Sequence, residues 1–435
     1  MRAWLRLVAV SALACGALDL QAAEGDVQAD VARLVEQLDR GSPSDRSAAE
    51  QALVERALAQ PGAGEEVLAL LPTPDDRMSQ EVATRLVRIR AETLRRLAER
   101  NVRQTKVTLD VSDAPLADVL AEIEKQTGNR VIDHRGEFSD QVAEKKVTLQ
   151  VTDVPFWEAL DRMLDAANMA PYPYEADGAL GLVERPPGVL SRAGRGAVYA
   201  GPFRIEATST RARRGARSPD DSGLDMELEI AWEPRLRPVG LTQAAEETSA
   251  TSDDGLTVPA VGEGPLFTVE VSPDSQGAEV NVPLQLPARE AKRLSRFQGQ
   301  LQALVPGRVV ELRFSDLAAA SDAVQDAGGV KVTLHRVVKN QAIWELQMRV
   351  RVDSADAASH GWALQNTTYL ENAQGERLEH GGFETTAQNN REIGLAYFFE
   401  LPEGSQIDQW TWVYRTPAAI VNLPVDYELT DVLLP

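Results

Sequence analysis

The chain has 435 residues, and its 66 acidic against 45 basic side chains give a formal net charge of −21. Such acidity argues against a protein that binds nucleic acid or an anionic membrane surface. Cys15 is the only cysteine, so the chain can form no internal disulfide and no multi-thiolate metal site, and its stability must come from packed cores.

Residues 1–23 have the pattern of a Sec-type signal peptide. A basic start is followed by an apolar stretch, Leu7–Ala14, and then by small residues that suit cleavage. Cys15 offers the alternative of a lipoprotein, but the leucine of a lipobox is missing before it, so we expect its removal with the signal peptide. No later stretch is long and apolar enough to span a membrane. The sequence therefore predicts a periplasmic or extracellular protein.

Residues 24–104 have a helical pattern. Apolar residues recur at helical spacing at Val31, Leu34 and Leu38, and again at Leu86 and Ile89. The segment resembles HEAT-like helical repeats, over two repeats at most. Because such repeats need neighbours to cover their apolar faces, we expect this domain to pack on another domain or on a partner.

A ten-residue phrase occurs twice, 40 residues apart. KVTLDVSDAP begins at Lys106 and KVTLQVTDVP begins at Lys146, and seven of the ten residues are identical. A fixed period of this kind indicates a duplicated supersecondary unit. Each copy alternates apolar and polar residues as a half-buried strand does, and an apolar helical stripe follows it. We expect Asp113 and Asp153 to cap the two helices.

The duplication predicts a βαβ–βαβ domain at residues 105–186, with both helices on one face of a small sheet. The paired phrase, with Leu120 and Leu160 downstream, resembles the short N-terminal domain shared by secretins and TonB-dependent receptors. This resemblance covers roughly 106–185, and it implies a periplasmic protein–protein interaction module. It does not imply a secretin or a receptor, because the residues that follow resemble neither.

Beyond Arg185, short strand patterns replace the helical periodicity. They predict two antiparallel β-sandwiches, at residues 195–316 and 328–435. The second resembles, faintly, the exported immunoglobulin-like domains of unknown function found in many bacteria. The predicted fold class is multidomain α+β: a helical N-terminal domain, a small βαβ–βαβ domain and two tandem antiparallel β-sandwiches.

The sequence contains no recognisable catalytic motif. Its four histidines lack the spacing of a metal site, and there is no nucleophile elbow, phosphate-binding loop or dinucleotide-binding fingerprint. We therefore predict a non-enzymatic protein with no catalytic residue, cofactor or metal. A hydrolase of unrecognised type is the third-ranked alternative.

Tryptophan side chains are the candidate partner contacts. Trp362 and Trp412 lie in the aromatic-rich last sandwich, where an exposed row would bind sugar and alternating burial would place them in the core. Trp157 lies beside Phe156 at the start of the second helix of the small domain, and it is the better candidate for an exposed contact. The open strand edge of that domain is another, because open edges accept an added strand.

The leading hypothesis is a non-enzymatic exported envelope protein that acts as a protein–protein interaction or scaffold module for other envelope proteins. The alternative is a protein that binds glycan or peptidoglycan through the aromatic residues of the sandwiches. Burial of those aromatic side chains, together with an open sheet edge in the small domain, would favour the first hypothesis. An exposed platform of tryptophan and tyrosine would favour the second.

Overall fold

The computed structural model describes residues 27–60, 62–73, 78–138, 143–172, 178–193, 196–218, 222–272, 275–352, 361–389 and 392–435. The predicted signal peptide and Cys15 lie outside these residues. The chain divides into two compact units, one ending at Arg100 and one beginning at Asn101. Strand, at about 48%, exceeds helix, at about 26%, so the fold is mixed α/β with several antiparallel sheets.

The first unit is helical. Ser42 starts the second helix with a capping box: its hydroxyl accepts the Asp45 N–H at 3.3 Å, and the Asp45 carboxylate accepts the Ser42 N–H at 3.1 Å. One apolar face of each helix is buried. The helices are α1 (27–40), α2 (Pro43–Leu58), α3 (Ala63–Leu70) and α4 (Gln80–Asn101).

Two arginines of α4 bind the C-terminal ends of the helices before it. Arg90 donates to the carbonyl oxygens of Leu68 at 3.0 Å and Leu71 at 2.6 Å, and Arg100 donates to that of Leu58 at 3.2 Å. The last carbonyl groups of a helix lack partners within the helix and carry its negative dipole end. Cationic side chains therefore stabilise the ends of α2 and α3.

The duplicated segment forms two small sheets. The strands β1 and β3, which are the two copies of the phrase, pair with each other antiparallel, and a second sheet has the order β2–β5–β4. The expectation of one sheet was wrong, because the two phrase strands pair across the duplication. The elements are β1 (Lys106–Pro115), α5 (Leu116–Thr127), β2 (Val131–Asp133), α6 (Arg135–Phe138), β3 (Lys146–Pro155), α7 (Phe156–Ala167), β4 (Met169–Tyr172) and β5 (Leu180–Glu184).

The two long helices of this segment, α5 and α7, each contact both sheets. The helix α5 contacts β1 and β2, and α7 contacts β3 and β4. Val107 and Val147, at equivalent positions of the two copies, are fully buried in the shared core with Phe156 and Leu160. Ala231, from a strand of the β-rich region, belongs to the same core, so the small domain packs directly on that region.

The described residues of the β-rich region form three further sheets. One has the order β13–β8–β7–β6, and another has the order β15–β16–β17–β21–β20. In the third, β14 and β22 lie between β10–β11 and β18–β19, and β9 and β12 join through β14. The strands are β6 (Val198–Ala200), β7 (Phe203–Arg213), β8 (Gly223–Trp232), β9 (Gly240–Ala244), β10 (Ser249–Ser252), β11 (Thr257–Pro259), β12 (Pro265–Glu270), β13 (Gly277–Leu284), β14 (Arg293–Phe314), β15 (Ser321–Ala327), β16 (Val330–Asn340), β17 (Ile343–Val352), β18 (Thr368–Asn372), β19 (Arg377–Glu379), β20 (Gly382–Gln388), β21 (Glu392–Glu400) and β22 (Trp410–Leu433).

The long strands β14 and β22 each take part in two hydrophobic cores. Their pairing runs from Arg293 opposite Leu433 to Phe314 opposite Trp412. The last third of β22, with Tyr427 and Leu429, packs in the core built mainly from residues 203–305, whereas Trp412 packs in the core built from residues 312–418. The structure thus differs from sandwiches confined to 195–316 and 328–435, because the chain's last strand returns to the first core.

Candidate functional site

The residues that the two copies share make the contacts between them. Lys106 Nζ lies 2.5 Å from Asp153 Oδ2, and at the equivalent place Lys146 Nζ lies 2.7 Å from Asp113 Oδ2. All four side chains are largely exposed, so these ion pairs contribute little to stability. Because each lysine pairs with the aspartate of the other copy, the repeated phrase supplies reciprocal contacts between the two copies.

The two aspartates do not cap the helices, which corrects the sequence expectation. Asp113 and Asp153 have φ of 51° and 54°, and their backbone N–H groups donate to the hydroxyls of Thr148 and Thr108, both at 3.0 Å. Neither α5 nor α7 has a side-chain cap. The left-handed turn tolerates aspartate, and the threonine of the opposite copy binds its N–H group.

The outer edges of the paired strands differ between the copies. At the edge of β1, the side-chain amide of Gln126 accepts from the Thr108 N–H and donates to the Thr108 carbonyl, both at 2.9 Å. In the second copy the position equivalent to Gln126 is Ala166, an exposed residue whose methyl group forms no hydrogen bond. Within the described part of the chain, β3 pairs only with β1. The edge of β3 around Thr148 therefore lacks the cover that Gln126 gives to β1.

Trp157 is buried, contrary to the expectation of an exposed contact. Its side chain is 2% exposed, its indole N–H donates to the Pro202 carbonyl at 3.3 Å, and its ring meets that of Phe156 edge-on at 5.4 Å. The helix α7 packs on the two small sheets with one face and on the β-rich region with another. Trp157 consequently connects two parts of the same chain in this structure.

A buried carboxylate, Glu233, reinforces this internal contact. It follows β8 and accepts from the Thr105 N–H at 2.8 Å, the Thr105 hydroxyl at 2.7 Å and the Asn129 amide at 3.1 Å. Arg235 Nε donates to it as well, at 2.8 Å. Burial of a charge is tolerated where donors compensate it, as they do here.

A second buried network centres on Asp161 of α7. Arg204 Nε donates to its carboxylate at 2.6 Å, Arg192 Nε at 2.9 Å and the Tyr199 hydroxyl at 3.0 Å. Burial would lower the pKa of Arg204, but the charges of Asp161 and Glu206 outweigh it and raise that pKa. Burial and the charge of Asp161 together raise the pKa of Tyr199. The network therefore holds a fixed ion pair between α7 and β7.

Trp362 and Trp412 are buried too. Trp362 is 4% exposed, and Trp412 is fully buried, with its indole N–H donating to the Thr368 hydroxyl at 2.6 Å. The Trp412 ring packs against Phe314 at 5.0 Å and Tyr414 at 5.5 Å. These side chains belong to the core around residues 312–418, and they leave no ring face on the surface for a sugar to stack on.

The described residues include no cluster of three or more His, Cys, Asp or Glu side chains that could hold a metal ion. His335 Nδ1 lies 2.5 Å from Asp322, and the His380 ring packs edge-on against Tyr397 and Phe399 at 5.1 and 6.2 Å. His360 lies outside the described residues. Among the helices that the structure describes, none has the length and apolar character needed to cross a membrane.

Sequence reasoning missed the residues that connect the small domain to the β-rich region. Asp161, Arg204 and Glu233 are charged residues in patterns that otherwise read as exposed faces, and local periodicity gives no sign of their burial. The sequence alone could have shown the difference between Gln126 and Ala166, because the two copies can be compared position by position at a spacing of 40 residues.

Comparison with known proteins returned no match to the chain, whether among family models, curated proteins or solved structures. The likeness to the short N-terminal domain of secretins and TonB-dependent receptors thus rests on the repeated phrase and on Leu120 and Leu160, which follow it.

Proposed function

We propose that the chain is a non-enzymatic, exported envelope protein that binds other envelope proteins through the small domain at residues 105–186. The proposal includes a signal peptide at 1–23, a helical HEAT-like domain at 24–104 and a periplasmic or extracellular location. It also includes membership of the small domain in the secretin and TonB-receptor type, with β-sandwich modules after it.

The observation that supports this function is the uncovered edge of β3. A strand edge offers a row of backbone N–H and C=O groups to which an extended segment of another protein can bond. Thr148 and Gln150 are exposed on β3, and the neighbouring Ala166 provides no competing amide. The bound segment would form backbone hydrogen bonds to β3 and continue the β1–β3 sheet.

The experiment uses a photo-crosslinking amino acid in place of Gln150 of the full-length exported protein in its own cells. We expect a discrete crosslinked adduct with an envelope protein, and we expect Ala166→Gln to suppress it by placing an amide over the Thr148 peptide groups. The matched control is Gln126→Ala, which uncovers β1 and leaves β3 as it is, so the adduct should persist. An adduct that survives Ala166→Gln at full yield, or no adduct at all, would refute binding at this edge.

The alternative function, binding of glycan or peptidoglycan, depended on exposed aromatic side chains. Trp362 and Trp412 are buried, so neither of these two side chains supports it. The hydrolase alternative likewise gains no support from the described side chains.

A further inference from the structure

A cavity of about 350 Å³ lies in the β-rich region, outside the small domain. Five segments form its walls: the stretch after β8, Val271 after β12, the second half of β14, the 3-10 turn Gly361–Gln365 with the residues after it, and the first third of β22. Its volume is at the lower end of the range for ligand pockets, and it suits a small molecule or the end of a peptide.

The lining of the cavity is positively charged, whereas the protein as a whole is negatively charged. Arg235, Arg237, Arg308 and Arg415 line the cavity, and the described lining residues include no carboxylate. The guanidinium of Arg235 binds Glu233 and the carbonyl groups of Asn101 and Arg103, and Arg308 also has an interaction partner, so an anion site would depend on Arg237 and Arg415. The positive charge of these two arginines, in a chain of net charge −21, favours an anion in the cavity.

The rest of the lining is largely apolar. Val239, Val271 and Pro417 contribute hydrocarbon surface, and Trp362 adds the indole. Trp362 is 4% exposed, and its buried indole N–H finds no hydrogen-bond acceptor among the described residues. The indole N–H itself has almost no accessible surface, so Trp362 contributes its ring to the apolar wall.

We infer that this cavity binds a carboxylate carried on an apolar group. The guanidinium fork matches the two oxygens of a carboxylate, Arg237 and Arg415 bring that fork to the cavity, and the apolar wall accepts the attached hydrocarbon. A small carboxylic acid and the C-terminal residue of a peptide share this chemistry. The cavity is distinct from the β3 edge, so binding there is independent of the proposed function.

Isothermal titration calorimetry of the full mature protein tests the inference with four probes: isovalerate, acetyl-Ala-Ala-Leu with a free carboxylate, the same peptide with a C-terminal amide, and inorganic phosphate. We expect a carboxylate probe to bind with a Kd of about 1 mM or tighter, and the amide to bind at least about tenfold more weakly. Equal affinity of isovalerate and the peptide acid would identify a small acid as the natural ligand type, whereas tighter peptide binding would identify a chain terminus.

Variants locate the binding. Arg415→Gln should weaken carboxylate binding by about tenfold or more, since it removes a charge-assisted contact. Arg211→Gln is the matched control, because Arg211 is 76% exposed on β7 and its replacement removes the same charge outside the cavity. In addition, the indole N–H signal of Trp362, assigned with Trp362→Phe, should shift on binding. Binding of the amide or of phosphate as tightly as the carboxylate, no binding of any probe, or equal effects of the two arginine variants would overturn the inference.

Discussion

Replacement of Asp161 by alanine should strongly destabilise the unit that begins at Asn101. The Asp161 carboxylate is fully buried and accepts hydrogen bonds from Arg204, Arg192 and Tyr199. Arg204 is itself fully buried, so Asp161→Ala would leave its guanidinium with Glu206 at 2.7 Å and Glu229 at 3.7 Å. The variant therefore removes one anion from a buried cluster and leaves the cation in place.

The expected loss follows from that uncompensated charge. Breaking a buried ion pair from one side typically costs about 3–5 kcal/mol. Glu206 still neutralises part of the charge, which places the expected loss near the lower end, at about 3 kcal/mol. Arg204 cannot relieve the penalty by losing its proton, because a guanidinium stays charged at any pH at which the protein folds.

Urea unfolding followed by tryptophan fluorescence measures this loss. Every tryptophan among the described residues lies beyond Asn101, so the signal reports on that unit alone. The double variant Asp161→Ala with Arg204→Met should be more stable than Asp161→Ala, because it removes the stranded cation along with its partner. Arg162→Ala, an exposed neighbour on α7, is the control and should change stability by about 0.5 kcal/mol or less. A loss under about 1 kcal/mol for Asp161→Ala, or a double variant no more stable than the single one, would refute the reasoning.

Three further predictions concern packing, pH and capping. Gly299→Ala should destabilise the unit beyond Asn101 by about 1–3 kcal/mol, because the new methyl would lie 2.6 Å from Gln243 Nε2 and 2.7 Å from the Tyr427 hydroxyl; Gly223→Ala, with no atom nearer than 3.7 Å, is the control in the same urea assay. Burial raises the pKa of Tyr397, Tyr414 and Tyr427; their stabilising contribution is complete below the unfolded pKa of about 10 and is lost as the pH rises above it, by up to about 1.4 kcal/mol per pH unit for each. Urea midpoints from pH ~8 to ~11 should show this fall, and Tyr427→Phe should make it less steep; an unchanged slope would contradict the assignment. Ser42→Ala should destabilise the helical unit by about 1 kcal/mol, seen by circular dichroism and not by tryptophan fluorescence.

The sequence specified the local elements of the small domain well. Each repeated phrase predicts a strand that leads into a helix, and the structure has β1 at Lys106–Pro115 and β3 at Lys146–Pro155, each followed directly by a helix. The strands continue through Asp113 and Asp153, where helix caps were expected. Alternation and helical spacing are properties of neighbouring residues, so they can be read without knowing the fold. The structure adds which strand pairs with which, and this information lies in contacts between residues far apart in the chain.

The burial of Trp157 and Asp161 could not be predicted from one apolar stripe. Eight of the twelve residues of α7 are buried, because the helix contacts the two small sheets and the β-rich region at once. A pattern analysis assigns one face of a helix to the core and the opposite face to solvent. It fails for a helix between two layers, where polar residues on the second face take partners from a distant strand.

The difference between the two copies determines how many partner segments one chain could bind by strand addition. A perfect duplication would present two equivalent edges, one on β1 and one on β3, and would bind two segments. Gln126 already binds the N–H and C=O groups of Thr108, so a segment that adds to β1 must displace two hydrogen bonds. A segment that adds to β3 meets no such bonds, because Ala166 stands at the equivalent position. Each chain should therefore bind one partner segment, and Gln126→Ala should permit a second.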